Sequence, residues 1–269
     1  MGMVYRPGDI PDADAPPPAG LALGDSWFWH GEQTLLHTLV EHPRIRPGHA
    51  CIRLLGFNGA RLSEYIGDGP YADVIRTHLA PDFRFTEVYL SGFANDALEH
   101  RLALRDDCSG IDDPARCFAP ERLELLLCHI GAGLDGIVHA IRWAYRKTSL
   151  QQAIFLNGYD YPVPDGRGFV HSHRGWLTTM MDEAGMDPDL GFRTAFMRRL
   201  IDAVNEEVLA PCHAPLERVF HVDSRGTLAT AAPHYREDWD NELYPSAAGF
   251  TRLLEGAWFP ALRRFGIVD

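Results

Sequence analysis

Leu21-Ala22-Leu23-Gly24-Asp25-Ser26 is a short apolar run that breaks at Gly-Asp-Ser. Its length suits a buried strand rather than a helix, and a glycine followed by polar residues ends it. In open α/β sheets, ligands and chemistry gather where a parallel strand hands over to a helix, so Ser26 is a candidate nucleophile. A plainer reading of the same residues is a turn whose serine caps a helix.

Four further runs repeat the pattern: Cys51 to Gly56, Glu87 to Gly92, Ala153 to Gly158 and Arg218 to Asp223. Near-continuous hydrophobic stretches such as Ala153-Ile154-Phe155-Leu156 suit parallel strands covered on both faces. Helical stripes separate them. Leu123, Leu126, Leu127, Ile130, Leu134, Ile137, Val138 and Ile141 recur at three and four residues after Pro120, which suits a first helical turn. Phe192, Phe196, Leu200, Val204 and Val208 form a second stripe, and Phe250, Leu253, Leu254, Trp258 and Leu262 a third. Strand alternating with helix predicts a mainly five-stranded parallel sheet with helices on both faces. Residues 1–19 read as a polar, proline-rich arm and 20–269 as one domain. Two irregular parts interrupt it, near 106–119 and 159–189, the second rich in Gly and Pro and suited to a lid or binding surface.

Acyl transfer needs oxyanion donors and a base as well as a nucleophile. The second strand ends at Gly56-Phe57-Asn58-Gly59, where a glycine lets a backbone N–H approach a ligand, and the third at Ser91-Gly92-Phe93-Ala94-Asn95-Asp96, which offers a carboxamide. Taken singly, Gly59 is a turn glycine and Asn95 a helix cap. Their order, Ser26, Gly59, Asn95 at three consecutive strand ends, resembles the SGNH, or GDSL-type, serine hydrolases. The resemblance spans nearly the whole chain and implies a three-layer α/β/α sandwich of flavodoxin-like type. It further implies an ester hydrolase with Ser26 as nucleophile and with Ser26 N–H, Gly59 N–H and the Asn95 side chain as oxyanion donors. Gly24-Asp25-Ser26-Trp27-Phe28 and the stretch from Gly158 to Gly168 look like a bacterial branch of that family.

The last block departs from the family pattern of Asp, two residues, His and Pro. The chain reads Asn241-Glu242-Leu243-Tyr244-Pro245, so Tyr244 stands in the histidine position and Asn241 in the aspartate position. A phenol titrates near 10 and an imidazole near 6.5, so only about one tyrosine in a thousand is phenolate at pH 7. General-base help is typically worth ~10²–10⁴-fold, so a slow hydrolase is expected unless another group serves. His234, ten positions upstream, is the first substitute in sequence and His221 the second. The competing expectation is a non-catalytic ligand-binding protein of the same fold, because His and Asp are replaced together. Nucleotide binding ranks last, since no Gly-x-Gly-x-x-Gly or Gly-Lys-Ser follows any predicted strand.

Composition narrows the partners. Over 269 residues the formal charge is −12, which argues against nucleic-acid or anionic-membrane binding and leaves a small-molecule ester as the expected ligand. No run of about 18 consecutive apolar residues predicts a membrane span, the first residues lack a secretory pattern, and a cytoplasmic location is expected. No cofactor is implied, and His171-Ser172-His173 reads as loop rather than metal ligands. Among five cysteines, Cys108 and Cys117 flank a short loop where pairing is open, although reduced thiols are expected in a cytosolic compartment. Trp27, Phe28 and Trp29 read equally as the floor of a pocket or as core.

Overall fold

A computed structural model of the protein describes residues 2–6, 8–9, 17–29, 33–57, 59–79, 84–148, 151–168 and 174–269. Six strands form one sheet: β1 (Met3–Tyr5), β2 (Gly20–Gly24), β3 (Cys51–Gly56), β4 (Glu87–Ser91), β5 (Ala153–Gly158) and β6 (Val219–Asp223). Their order is β1-β3-β2-β4-β5-β6 and every pairing is parallel. All residues of β2, β4 and β5 are buried, which is why they read as unbroken apolar runs.

The sixth strand corrects the expected arm over 1–19. Met3-Val4-Tyr5 pairs with Cys51-Ile52-Arg53 at the edge of β3, and Tyr5 is buried. Three residues cannot show a period, but they satisfy the open edge that β3 would otherwise present.

Seven helices matter for the site: α1 (Ser26–Trp29), α2 (Leu35–Glu41), α3 (Ala72–His78), α4 (Ala94–Glu99), α5 (Pro120–Tyr145), α6 (Trp176–Glu183) and α7 (Leu190–Val204). Local chemistry sets their starts. Thr34 caps α2 by accepting from His37 N–H, Pro120 occupies the first turn of α5, and Asp189 caps α7 by accepting from Phe192 N–H at 2.8 Å. Among the described residues of the expected loop 159–189, α6 is the one regular element, formed over eight residues free of Gly and Pro, with Leu177 and Met181 turned inward. The helical segment 247–263 begins at the cap Ser246 and carries a π turn at Leu254–Trp258, where the expected single stripe bends.

Helix α2 and segment 247–263 cover one face of the sheet, with Trp258 against Tyr89 and Phe265 against Phe155. On the other face, Leu126, Ile130, Leu134, Ile137 and Ile141 of α5 are buried. At 26 residues, with mean hydropathy 1.4 over its most apolar window, α5 also has the length and composition to cross a bilayer, though its apolar stripe belongs to the domain core. In the 106–119 insertion, Cys108 and Cys117 are buried free thiols, with Cys108 Sγ 3.7 Å from the Cys117 carbonyl.

The chain runs from β2 to β3 on one side and then crosses back to β4 on the other. Neighbouring strands β2 and β4 therefore send their following helices apart, and a crevice opens at their carboxyl ends. Gly24 pairs with Ser91 there.

Candidate active site

Position 24 has no room for a side chain. A Cβ on Gly24 would lie 2.7 Å from Ser91 O and 2.9 Å from Phe28 Cδ2, so the chain turns tightly from β2 into α1 only with glycine. The turn buries Asp25 and leaves Ser26 half-buried at the crevice. Beneath Ser26 the Asp25 carboxylate accepts from Ser91 Oγ at 2.9 Å and from Trp27 N–H at 3.2 Å, and the Tyr159 hydroxyl donates to its other oxygen. Asn157 Nδ2 in turn donates to Ser91 Oγ at 3.1 Å. Burial pushes the Asp25 pKa from 3.8 to about 7, against the lowering pull of Ser91 and the Trp27 amide.

The Tyr244 hydroxyl donates to Ser26 Oγ at 2.7 Å. Its loop is fixed from several sides. Trp27 Nε1 donates to the Leu243 carbonyl at 2.8 Å, and the Trp27 ring packs on Tyr159, Trp239 and Phe250. Asn241 Oδ1 accepts the N–H groups of Leu243 and Tyr244 at 2.9 and 3.0 Å, so the residue in the aspartate position shapes main chain instead of orienting a base. Glu242, fully buried, accepts from Gly166, Leu177 and Thr178 N–H and so ties this loop to the start of α6. Burial raises the Tyr244 pKa above 10; the Ser26 bond works the other way, and the Asp25 charge adds to the rise.

Gly59, at φ +70°, and Asn95, on the first turn of α4, line the same cavity as Ser26 and Tyr244. Asn95 Nδ2 donates to Ala60 O at 2.9 Å, which anchors its carboxamide beside the Gly59 turn and leaves one of its two N–H bonds for a ligand. Trp27 also lines the cavity, while Phe28 is core, so that aromatic cluster divides between the two expected uses.

Two expected substitutes for the base lie elsewhere. His234 is 70% exposed with Nδ1 3.6 Å from Glu237 Oε1, because it stands at the outward start of a short helix, Tyr235–Asp238. His221 Nε2 is bonded to Asn205 Oδ1 at 2.8 Å, on the α7 side of β6. Among the described residues no histidine lines the cavity. His171 and His173 lie outside the described residues. Sequence reading missed the part played by Asp25, Ser91 and Tyr159, which meet only across strands, and that of Glu242, whose buried acid in a polar loop was the available signal.

Among solved structures, the lipase Lip_vut3 from a goat rumen metagenome superimposes with a TM-score of 0.55 at 14% identity, over 93% of this chain and 98% of the lipase. The chain shares the fold of that lipase, a parallel sheet between layers of helices. An extracellular lipase from Streptomyces rimosus (TM-score 0.47, 14% identity, 92% of this chain and 97% of that one) lies further off. So does a carbohydrate esterase family 3 protein from Talaromyces cellulolyticus (0.47, 13%, 92% and 97%). No protein-family model matches the chain, and no curated protein matches it. Identity this low establishes the shared fold and nothing about substrate.

Proposed function

We propose that the protein is a serine ester hydrolase that works through an acyl-enzyme on Ser26. The observation that carries this reading is the 2.7 Å contact between Ser26 Oγ and the Tyr244 hydroxyl, in a cavity that Gly59 and Asn95 also line. Ser26 Oγ attacks the ester carbonyl and its proton passes to the Tyr244 phenolate. The oxyanion formed accepts hydrogen bonds from the Ser26 and Gly59 N–H groups and the second Asn95 N–H. The Tyr244 phenol then returns the proton to the departing alkoxide. That transfer leaves Tyr244 as phenolate again; it takes a proton from water, the hydroxide so formed attacks the acyl carbon, and the phenol gives the proton back to Ser26 Oγ as the acid departs.

With the phenol protonated, the contact runs the wrong way for attack, because Tyr244 donates to Ser26. The active fraction is the phenolate, at most about one in a thousand at pH 7, and it grows tenfold per pH unit until the raised phenol pKa is reached. The reading therefore expects slow turnover at neutral pH and an alkaline rise. A fluorophosphonate probe and p-nitrophenyl esters test it on the parent and on Ser26→Ala. Labelling at Ser26 and turnover lost in the variant are expected; equal turnover with no label at Ser26 sinks it. The second reading, a ligand-binding protein without turnover, is favoured by the lack of an imidazole among the described lining residues. It expects saturable binding and no hydrolysis from about pH 5 to about pH 10.

A further inference from the structure

The cavity at Ser26 holds about 240 Å³, and most of its lining residues are apolar. Ala97 and Leu98 of α4, Leu102 of the following turn, and Met197, Leu200 and Ile201 of α7 supply an aliphatic lining. Among the described residues no Arg, Lys or His lines it. The lone lining acid, Asp160, is committed to the N–H groups of Tyr161, Gly226 and Leu228 at 2.6 to 2.7 Å. A carboxylate or phosphate on the acyl portion would enter without a counter-charge and lose its hydration. A cavity of that size is larger than an acetyl group needs and has room for a medium-length acyl chain. An acetyl group would leave most of that wall without contacts, and voids of this kind forfeit dispersion.

The turn after α4 adds an independent observation. Arg101, Leu102 and Ala103 stand at φ +50°, +56° and +57°, three successive non-glycine residues in the left-handed region. L-residues visit that region singly at best, and such strain concentrates where a side chain must be aimed. Here the backbone turns Leu102, 1% exposed, against the cavity.

We propose that Leu102 and Ala97 set the acyl specificity of this cavity, Leu102 as its end stop and Ala97 as the gap that admits the chain. The substrates are then esters of uncharged aliphatic acids of about six to eight carbons. This rests on the ester-hydrolase reading, and its test separates the two.

The kcat/KM of the parent is measured on p-nitrophenyl esters from acetate to dodecanoate. It rises roughly fourfold per added methylene, the value of burying one, up to the hexanoate-to-octanoate range and then falls. Leu102→Gly relieves the left-handed backbone while removing the end stop; circular dichroism and urea unfolding check that the variant is folded, and the optimum moves at least two carbons longer. Ala97→Leu adds three carbons to the wall and moves the optimum to shorter esters. A merely structural role for either residue would scale all esters together and leave the optimum in place. Binding of the same esters to Ser26→Ala, read from quenching of tryptophan fluorescence (Trp27 and Trp176 line the cavity), follows the same order of chain length. An optimum at acetate, or one unmoved by both substitutions, overturns the proposal while leaving hydrolysis intact. Chain-length-ordered binding that shifts with both substitutions, with no turnover by the parent, upholds it and removes the hydrolase reading.

Discussion

Replacing Asp25 by Asn isolates the electrostatics beneath the nucleophile. Burial between β2, Ser91 and Tyr159 pushes this carboxyl from 3.8 to about 7 in the folded protein. Between those values the unfolded chain has released its proton while the folded chain still holds it, so rising pH favours unfolding. A tenfold displacement of a proton equilibrium is ~1.4 kcal/mol, so this one group withdraws about 4 kcal/mol of stability as pH climbs from about 4 to about 8. The contribution is fully present below the unfolded-state value and gone above the folded one. An Asn cannot ionise, and its amide fills the same space. The stability of Asp25→Asn relative to the parent should therefore improve by about 4 kcal/mol across that range. Urea unfolding followed by circular dichroism, at fixed ionic strength and at several pH values, reads this directly. Burial also raises the pKa values of Asp96, Asp160 and Glu242, so the difference between the two proteins is the readout, not the slope of either. Two parallel stability curves would refute the reasoning, for they would mean Asp25 titrates alike folded and unfolded.

Tyr244→Phe keeps the ring and deletes the hydroxyl on Ser26; turnover of a short ester at pH 9 should fall ~10²-fold or more, and the alkaline rise should vanish. An unchanged pH profile would exclude the phenol as proton acceptor. Because the same weak base must also activate water, p-nitrophenyl esters should give a burst of nitrophenol equal to the enzyme present, with the acyl group found on the Ser26 peptide by mass spectrometry. A strictly linear progress curve would contradict that. Glu242→Ala strips the acceptor from three N–H groups, one buried and two half-buried, and should cost ~3 kcal/mol in denaturant unfolding, whereas a loss below ~1 kcal/mol would show that the loop and α6 hold without it.

Five strands were legible to within a residue because each is a short, mostly apolar and mostly buried run that ends in a polar residue or glycine; β1 was not, since three residues beside a proline-rich segment carry no period. Ser26, Gly59 and Asn95 were legible as positions because parallel strands bring their carboxyl ends to one edge, a property of topology that order along the chain conveys. Their chemical roles remain the proposal made above. What meets across distance was hidden: Tyr159 reaches Asp25 over 134 residues and Glu242 reaches Gly166 over 76, and no local pattern encodes such pairs. His234 shows the converse. It is ten positions from Tyr244 in sequence, yet the helix it opens turns it to solvent, so nearness along the chain did not bring it to the cavity.

The indole of Trp27 and the carbonyl of Leu243 are 216 residues apart in the chain and 2.8 Å apart in space. On the proposed acyl-enzyme reading, a nascent or partly unravelled polypeptide that has formed the turn after β2 is still inert, because the Tyr244 hydroxyl reaches Ser26 only with the loop that follows the last strand. Reactivity would thus be withheld until assembly is finished, which spares an immature chain from trapping acyl groups on its own serine.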